Sequence, residues 1–221
     1  MKSENLEGVM DFMNNIKIIG LGPGHKDYIL PIAQNLIKES QIIISGKRNI
    51  ENIQDWVEGK EIYYIDRYLD KMIEFIERNS KKNIVIVVSG DTGFYSLLSY
   101  IKENLDEKVE VITGISSVQY MFSKMGDVWN DAFISSVHGR ELNLASIINQ
   151  YDKIGLLTDS KYTPQRIAEI IFQSSLENVE ITVGENLSYE KESIRTYEVE
   201  ELMKEKKKFD INVVVIRKIG N

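Results

Sequence analysis

Short apolar runs rich in β-branched residues recur along the chain, separated in most cases by amphipathic stretches of helical length. The runs are almost continuously apolar instead of alternating, which is typical of strands buried on both faces of a sheet. Strands that alternate with helices indicate βαβ units, so the sequence predicts an α/β fold with a largely parallel sheet. The predicted strands are Ile16–Ile19, Gln41–Ile44, Ile84–Val88, Val109–Ile112, Ile154–Leu157, Val179–Val183 and Ile211–Ile216. The predicted helices are Asp27–Glu39, Tyr68–Arg78, Phe94–Asn104 and Pro164–Gln173.

The segment Lys124–Asp131 interrupts this alternation, and the connections after it are shorter and more varied. It is therefore the predicted junction between an N-terminal α/β domain at residues 16–126 and a C-terminal α/β domain at residues 127–221. Residues 1–15 are predicted to form a mobile extension. The charge run Glu198–Lys208 is predicted to be a solvated helix.

The amino-acid composition excludes several kinds of site. The 221 residues include no cysteine, which excludes disulfide scaffolds, thiolate metal sites and cysteine nucleophiles. The two histidines, His25 and His138, lie too far apart in the sequence to predict a histidine metal cluster. No protein-bound metal is expected.

Charge and hydropathy restrict the partners. The chain has 27 Lys plus Arg against 34 Asp plus Glu, a formal charge of −7, whereas proteins that coat nucleic acid need a basic face. No segment approaches the ~18 consecutive apolar residues of a membrane span, and residues 1–15 lack the pattern of a signal peptide. We therefore expect no nucleic-acid partner, no membrane association and a cytoplasmic location.

The first predicted strand runs into Gly20-Leu21-Gly22-Pro23-Gly24, where glycines would allow positive φ and close approach to a ligand. A dinucleotide-binding fingerprint is not supported, because its third glycine would fall at His25 and Pro23 lacks an amide donor. The second strand is followed by Ser45-Gly46 instead of the carboxylate that binds a ribose.

A P-loop is also excluded at Gly46-Lys47. Gln41 stands where the first glycine of that motif belongs, and Arg48 stands where Ser or Thr belongs. Lys47 and Arg48 remain candidates for binding an anionic ligand, with simple solvation of a helix start as the alternative.

Two further loops combine glycine with polar groups after a predicted strand. The loop Ser89–Ser96 presents Asp91 between Gly90 and Gly93, either as a ligand for an amine, ribose or cation or as a helix N-cap. The loop Thr113–Ser117 offers hydroxyls and amides that suit an anion, or a serine cap. Ligands of open α/β sheets bind at the carboxyl ends of strands, so three such loops together predict a binding site.

Later in the chain, His138-Gly139-Arg140 places a histidine beside a glycine and an arginine. This setting is compatible with a functional histidine, whereas an isolated histidine is more often structural.

Taken in order, these loops resemble the tetrapyrrole (precorrin) methyltransferases, which use S-adenosylmethionine in cobalamin biosynthesis. The narrower resemblance is to the members that methylate carbon five of a cobalt-containing precorrin. It covers roughly Lys17 to Ile216. The chain departs from the family at Thr92 and Thr113, where proline is usual, and at Pro31, where threonine is usual. The resemblance rests on Ser45-Gly46-Lys47-Arg48, Ser89-Gly90-Asp91 with Gly93-Phe94-Tyr95-Ser96, Gly114-Ile115-Ser116-Ser117-Val118-Gln119, His138-Gly139-Arg140 and Val183-Gly184-Glu185-Asn186-Leu187.

The resemblance implies an N-terminal parallel sheet, a C-terminal mixed sheet and a cleft between them that binds S-adenosylmethionine. His138 is the candidate general base, since any base that this chemistry needs can be modest. Lys47, Arg48 and Arg140 are candidates for binding the carboxylates of a corrinoid substrate. The implied cofactor-binding residues are Pro23, Gly24, Gly90, Asp91, Gly93, Phe94, Ser116, Ser117, Leu157, Val183 and Gly184.

The resemblance also implies a homodimer and a separate decarboxylating methyltransferase as partner. Two alternatives stay open. The chain could methylate another precorrin carbon or another target accepted by this fold, such as diphthine or ribosomal RNA. It could also be a non-catalytic nucleotide- or anion-binding module.

Overall fold

The computed structural model describes residues 15–137 and 142–220. These residues form two compact units, of which the first ends at Ile115 and the second begins at Ser116. The boundary predicted after residue 126 lies one helix later and stays a prediction, as does the expected cleft. Residues 1–14 of the predicted extension lie outside the described residues. Within the described ranges, no helix is long and apolar enough to cross a membrane.

The first unit contains a five-stranded parallel sheet. Its strands are β1 (Ile16–Gly20), β2 (Ile42–Ser45), β3 (Glu61–Tyr64), β4 (Ile84–Val88) and β5 (Val109–Ile112), in the spatial order β3-β2-β4-β1-β5. Its α-helices are α1 (Pro31–Glu39), α2 (Lys47–Asn52), α3 (Leu69–Arg78) and α4 (Leu98–Asn104).

Both faces of this sheet are buried. Side chains that alternate along β1, β2 and β4 pack on α3 and α4 on one face, and the intervening ones pack on α1 and α2 on the other. This arrangement explains why the central strands are almost continuously apolar. It also directs every strand's carboxyl end to the same edge, where the glycine-containing loops begin.

The second unit contains a mixed sheet. Its strands are β6 (Phe133–Ser136), β7 (Lys153–Leu157), β8 (Val179–Glu185), β9 (Ser193–Glu198) and β10 (Asn212–Lys218), in the order β6-β7-β10-β8-β9. Only the β6–β7 pair is parallel among these described neighbours. Its α-helices are α5 (Ser117–Met125), α6 (Leu144–Gln150), α7 (Pro164–Gln173) and α8 (Val199–Lys204).

Helices α6, α7 and α8 contribute to the hydrophobic core on one face of this sheet. Helix α5 packs on the other face, where Gly155 of β7 and Gly184 of β8 leave room for it. A Cβ at Gly155 would lie 2.9 Å from Val118 Cγ1, and one at Gly184 would lie 2.5 Å from Met121 Sδ. The two glycines therefore set how closely α5 approaches the sheet.

The α/β class is confirmed, with one parallel and one mixed sheet. All seven predicted strands are present within two residues of their predicted ends. Within the described residues, the unpredicted strands are β3, β6 and β9, and each lies at the edge of its sheet. Exposed positions interrupt the apolar run in β3 and β9, and the apolar run of β6 ends after two residues at Ser135, so none of the three has the continuous run that the prediction used.

Two predicted helices begin later than expected. The segment from Asp27 contains a single 3₁₀ turn, and α1 starts only at Pro31, a residue suited to the first helical position. Helix α4 starts at Leu98 instead of Phe94, and Tyr95 before it has φ +51°, which is incompatible with a right-handed helix.

The charge run Glu198–Lys208 is predicted to be a solvated helix, and the structure confirms this for part of the run, where Glu200, Glu201 and Lys204 are exposed on a helix. Helix α8 ends at Lys204, and Leu202 is fully buried in the core. The segment Lys124–Asp131 completes α5, because Gly126 at φ +64° forms its left-handed C-cap. Asp127 then pairs with Lys153 at 2.9 Å and with Arg217 at 3.2 Å.

Candidate functional site

The loops after β1 and β4 are joined directly. Gly22 and Gly90 exchange two backbone hydrogen bonds, with N···O distances of 3.0 and 2.8 Å. Gly22 has φ +80° and Gly90 has φ +66°, a left-handed conformation that glycine adopts without strain. Glycine is thus required in these loops for backbone conformation, as the sequence predicted.

Gly20 and Gly114 are glycines for a different reason. A Cβ on Gly114 would lie 2.2 Å from the Gly90 carbonyl oxygen, and a Cβ on Gly20 would lie 2.5 Å from the same atom. Both contacts are far inside van der Waals distance, and both are with backbone, which cannot rotate away. The ends of three strands therefore pack backbone against backbone, so these two glycines serve the protein's own packing.

Asp91 connects two loops. Its Oδ2 accepts hydrogen bonds from the Thr113 hydroxyl at 2.6 Å and the Gly114 amide at 3.0 Å, and its Oδ1 accepts one from the Gly93 amide at 2.8 Å. Burial raises the pKa of this carboxyl. Hydrogen bonds from the Thr113 hydroxyl and from the amides of Gly114, Gly93 and Thr92 outweigh that effect and lower the pKa overall. Asp91 is therefore a charged cross-link between loops and does not cap α4.

The residues after Asp91 form an irregular segment. Gly93 is exposed, and Phe94 is half-buried with its ring edge-to-face on Tyr95 at a centroid distance of 4.8 Å. In the loop after β1, Pro23 and Gly24 are buried. His25 Nδ1 accepts the Asp27 amide at 3.2 Å, so this histidine caps the 3₁₀ turn.

Lys47 and Arg48 are exposed at the start of α2, directly after β2. The neighbouring Asn49 is a positioning residue that the sequence reasoning missed. Its amide nitrogen lies 3.2 Å from Ser45 Oγ, and its oxygen accepts the Ser89 hydroxyl at 2.8 Å. Asn49 thus ties the cationic turn to the loop after β4. Ser45 belongs to β2 and precedes α2, so no helical spacing in the sequence marks this contact.

A second group of cations follows β3, the neighbour of β2 in the sheet. Arg67 Cζ and Lys71 Nζ lie 4.8 and 4.6 Å from the centroid of the exposed Tyr68 ring. The carboxyl end of the sheet therefore carries cations after two adjacent strands, although the whole protein is acidic.

In the second unit, Ser116 and Gln119 form a reciprocal capping box at the start of α5. Ser116 Oγ accepts the Gln119 amide at 3.1 Å, and Gln119 Oε1 accepts the Ser116 amide at 2.9 Å. The serine cap that the sequence left open is present. The amides of Ser117 and Val118, in the first turn, have no acceptor within the helix.

Leu157 and Gly184 lie on either side of β10, both opposite Val213 in the ladder. Leu157 is half-buried, whereas the Val183 side chain is 2% exposed and lies in the core shared with α6, α7 and α8. The Cβ position of Gly184 is taken up by Met121 and Leu187. Close contact of a ligand with the Val183 side chain would therefore require the core to open.

Just beyond, Glu185 is buried and organises the loop before β10. Its carboxylate accepts the Asp210 amide at 2.9 Å and pairs with Lys207, whose pKa this hydrogen bond raises. Within the motif Gly184-Glu185-Asn186, the Glu185 side chain therefore stabilises the loop before β10.

His138, Gly139 and Arg140 lie outside the described residues. Within the described ranges, no group of three or more His, Cys, Asp or Glu side chains is arranged to hold a metal ion.

The family model for tetrapyrrole (corrin/porphyrin) methylases matches residues 15–203 of this chain. The chain is 27% identical over 202 residues to the cobalt-precorrin-7 C(5)-methyltransferase of Salmonella typhimurium, covering 91% of this chain and 98% of that protein.

Two solved structures share the fold at lower identity. The precorrin-6Y methylase of cobalamin biosynthesis from Archaeoglobus fulgidus matches with a TM-score of 0.72 at 18% identity, covering 93% of this chain and 98% of the other. The uroporphyrin-III C-methyltransferase from Thermus thermophilus, complexed with S-adenosylhomocysteine, matches with a TM-score of 0.72 at 16% identity, covering 91% and 96%.

Proposed function

Because the chain belongs to the tetrapyrrole (corrin/porphyrin) methylase family, we propose that it transfers a methyl group from S-adenosylmethionine to carbon five of cobalt-precorrin-7 in anaerobic cobalamin biosynthesis. The observation that carries this proposal is the match to a relative of that named activity over 98% of the relative's length. The paired glycine-containing loops at the carboxyl edge of the parallel sheet support it, since this edge is where such sheets bind ligands.

S-adenosylmethionine supplies an activated methyl group on a sulfonium, so the protein need not provide a covalent nucleophile. The work of the chain is to hold methyl donor and ring carbon roughly 3–3.5 Å apart, aligned and away from water. A site of this kind needs rigid loops more than reactive side chains. The absence of cysteine from the sequence is consistent with that chemistry.

The polar groups present fit such a cofactor. The loop positions Pro23, Gly24, Gly90 and Gly93 are proposed to border the cofactor, and the half-buried Phe94 is proposed to supply an apolar surface. The first-turn amide of Ser117, with the cap Ser116, suits a carboxylate. On the second unit, Leu157 and the backbone near Val183 and Gly184 are proposed to border the adenine. Asp91 is proposed to shape the site by fixing loops.

The substrate side is proposed to depend on local cations. A chain of net charge −7 must gather positive charge locally to bind a ring that carries several carboxylates. We assign this role to Lys47, Arg48 and Arg140, since arginine can bind a carboxylate through two parallel hydrogen bonds. His138 is the proposed base that accepts the proton released on methylation.

The decisive experiment is to incubate the protein with cobalt-precorrin-7 and S-adenosylmethionine and to measure product mass. The expected result is the gain of one methyl group, about 14 Da, with its position at carbon five established by NMR. Methylation of a different precorrin instead would move the chain to another step on the same ring. If calorimetry detects no binding of S-adenosylmethionine or its demethylated product, the non-catalytic alternative is favoured.

We also propose that the protein acts as a homodimer and that a separate protein performs the decarboxylating methylation. Light scattering of the purified chain tests the dimer, for which a mass of twice 25.5 kDa is expected. Co-purification with the decarboxylating enzyme tests the second partner. The proposed location is the cytoplasm.

A further inference from the structure

Thr113 and Asp91 link two loops that the sheet itself does not join. Strands β4 and β5 lie on opposite sides of β1 in the sheet order. Strands two positions apart are about 10 Å from each other, so no ladder hydrogen bond connects the end of β4 to the end of β5. The loop after β4 must therefore cross the end of β1 to reach the loop after β5.

The geometry at the end of β1 makes that crossing possible. Gly20 has no side chain, and the Gly90 carbonyl occupies the space that a Cβ would need, at 2.5 Å. Asp91, the next residue, then reaches the Thr113 hydroxyl at 2.6 Å and the Gly114 amide at 3.0 Å. The result is a short bridge over β1 that ends on a carboxylate.

Thr113 contributes to this bridge through its side chain, whereas Gly114 and Gly93 contribute backbone amides. A hydrogen bond to an ionised carboxylate is about twice as strong as one between neutral groups. The depressed pKa of Asp91, to which the Thr113 hydroxyl is the leading hydrogen-bond contributor, agrees with a carboxylate that stays charged at neutral pH. Thr113 is thus the one residue whose substitution can weaken the bridge without altering backbone amides or the charge.

We propose that Thr113 is a positioning residue of the methyl-donor site: its hydroxyl fixes Asp91 and so holds the loop after β4 across the end of β1. The inference rests on the proposed function for its ligand, but the bridge itself is a property of the ligand-free protein. Residues Gly90 to Phe94 are proposed to border the cofactor, so a loop released from the bridge binds it less tightly. Ordering that loop on binding then costs conformational entropy that the bridge otherwise removes.

The first test measures the affinity for S-adenosylhomocysteine by calorimetry. Thr113→Val keeps the shape and removes the hydroxyl, and it is expected to raise the Kd about tenfold, the equivalent of one charge-assisted hydrogen bond. Thr113→Ser restores the hydroxyl and should stay within about twofold of the unaltered protein. Thr196→Val is the matched control, because it removes a threonine hydroxyl bond in β9, at 2.9 Å to Thr182, and should leave the Kd unchanged.

A double-mutant cycle separates positioning from general destabilisation. In an Asp91→Asn background the Thr113→Val change should have little further effect on the Kd, because its partner charge is already gone. Additive losses in the cycle, or an unchanged Kd for Thr113→Val alone, would overturn the proposal.

The second test needs no ligand. Amide hydrogen exchange at Gly93 and Gly114 should be faster in Thr113→Val and normal in Thr113→Ser. If the unaltered protein fails to bind S-adenosylhomocysteine, the proposed function fails, whereas the bridge is supported or overturned by the exchange rates alone. Unchanged exchange in Thr113→Val overturns it.

Discussion

Two different structural requirements explain why glycine stands at particular positions in the loops of this protein. Gly22 and Gly90 adopt positive φ, which is a local requirement that the motif itself suggests. Gly20 and Gly114 have no such requirement, and they are glycines because the Gly90 carbonyl lies where their Cβ atoms would be. The sequence identified all four as loop glycines, but it could not separate conformational need from close packing, since the packing partner is distant in the chain.

Gly114→Ala is therefore expected to be strongly destabilising. The new methyl group would lie 2.2 Å from a backbone oxygen, so backbone must move, and we expect a loss of about 3 kcal/mol in the free energy of unfolding. Urea denaturation measures it. Gly46→Ala is the control, because Gly46 has φ −72° and no atom within 4 Å of its Cβ position; it should lose at most about 1 kcal/mol. Equal losses in the two variants would contradict the close-packing argument.

At the scale of elements, helix α5 shows how local signals and packing combine. Its start is fixed by the Ser116–Gln119 capping box and its end by the left-handed Gly126. The sequence Gly-Ile-Ser-Ser predicted a helix start here because the signal is local. Its position on β7 and β8 depends on Gly155 and Gly184, whose role appears only once strands 30 and more residues away are placed beneath the helix.

The cap at Ser116 is expected to carry measurable stability. Ser116→Ala removes the acceptor for the Gln119 amide and should cost about 1 kcal/mol in urea denaturation. Ser123→Ala, on the exposed side of the same helix, is the control and should stay within about 0.5 kcal/mol. A cost at Ser123 as large as that at Ser116 would argue against the capping role.

The packing of α5 on β7 predicts that a smaller side chain on α5 will compensate for a larger one on β7. Gly155→Ala places a methyl group 3.1 Å from Phe122 Cε2 and 2.9 Å from Val118 Cγ1, so it should cost about 1–3 kcal/mol by overpacking. Phe122→Leu in the same protein shortens the opposing side chain, and the double variant should be more stable than the sum of the two single losses predicts. Strictly additive losses, measured by thermal and urea unfolding, would contradict direct contact.

At the scale of the whole molecule, the protein is acidic, and ion pairs lower the pKa of particular carboxyl groups. Asp127 pairs with Lys153 and Arg217, and the hydrogen bond from Lys153 is the main cause of its lowered pKa. A carboxyl with a lower pKa in the folded state stabilises the fold above its unfolded pKa of about 4. That contribution disappears as the pH falls through the folded value, so acid should selectively weaken the ion pairs that hold the segment after α5.

Asp127→Asn should accordingly lower stability at pH 7 and reduce the loss on acidification. The charge-assisted bond to Lys153 suggests a cost of about 2 kcal/mol at pH 7 that shrinks below pH 4. Asp152→Asn is the control, because the Asp152 side chain is 65% exposed and its pair with Lys218 should contribute less than about 1 kcal/mol. Urea denaturation at pH 3 and pH 7 gives both values, and a pH-independent cost at Asp127 would refute the linkage.

The sequence by itself determined the α/β class, the central strands and the loops at which a ligand site was expected. These features are local, because a strand buried on both faces must be apolar throughout and a strand end must turn. The edge strands β3 and β9 escaped prediction because exposed positions interrupt their apolar pattern. Strand β6 escaped it because two buried serines, Ser135 and Ser136, end its apolar run after two residues.

Only the tertiary structure decided what the polar loop residues do. The sequence left Asp91 as a helix cap or a ligand-binding group, and the structure shows a cross-link to Thr113, 22 residues later and on the far side of β1. Its role toward a ligand stays a prediction. That partnership depends on the order of strands in the sheet, which no local pattern specifies. The physical reason is that hydrogen-bond partners are selected by proximity in space, and the packing of β1 between β4 and β5 creates that proximity.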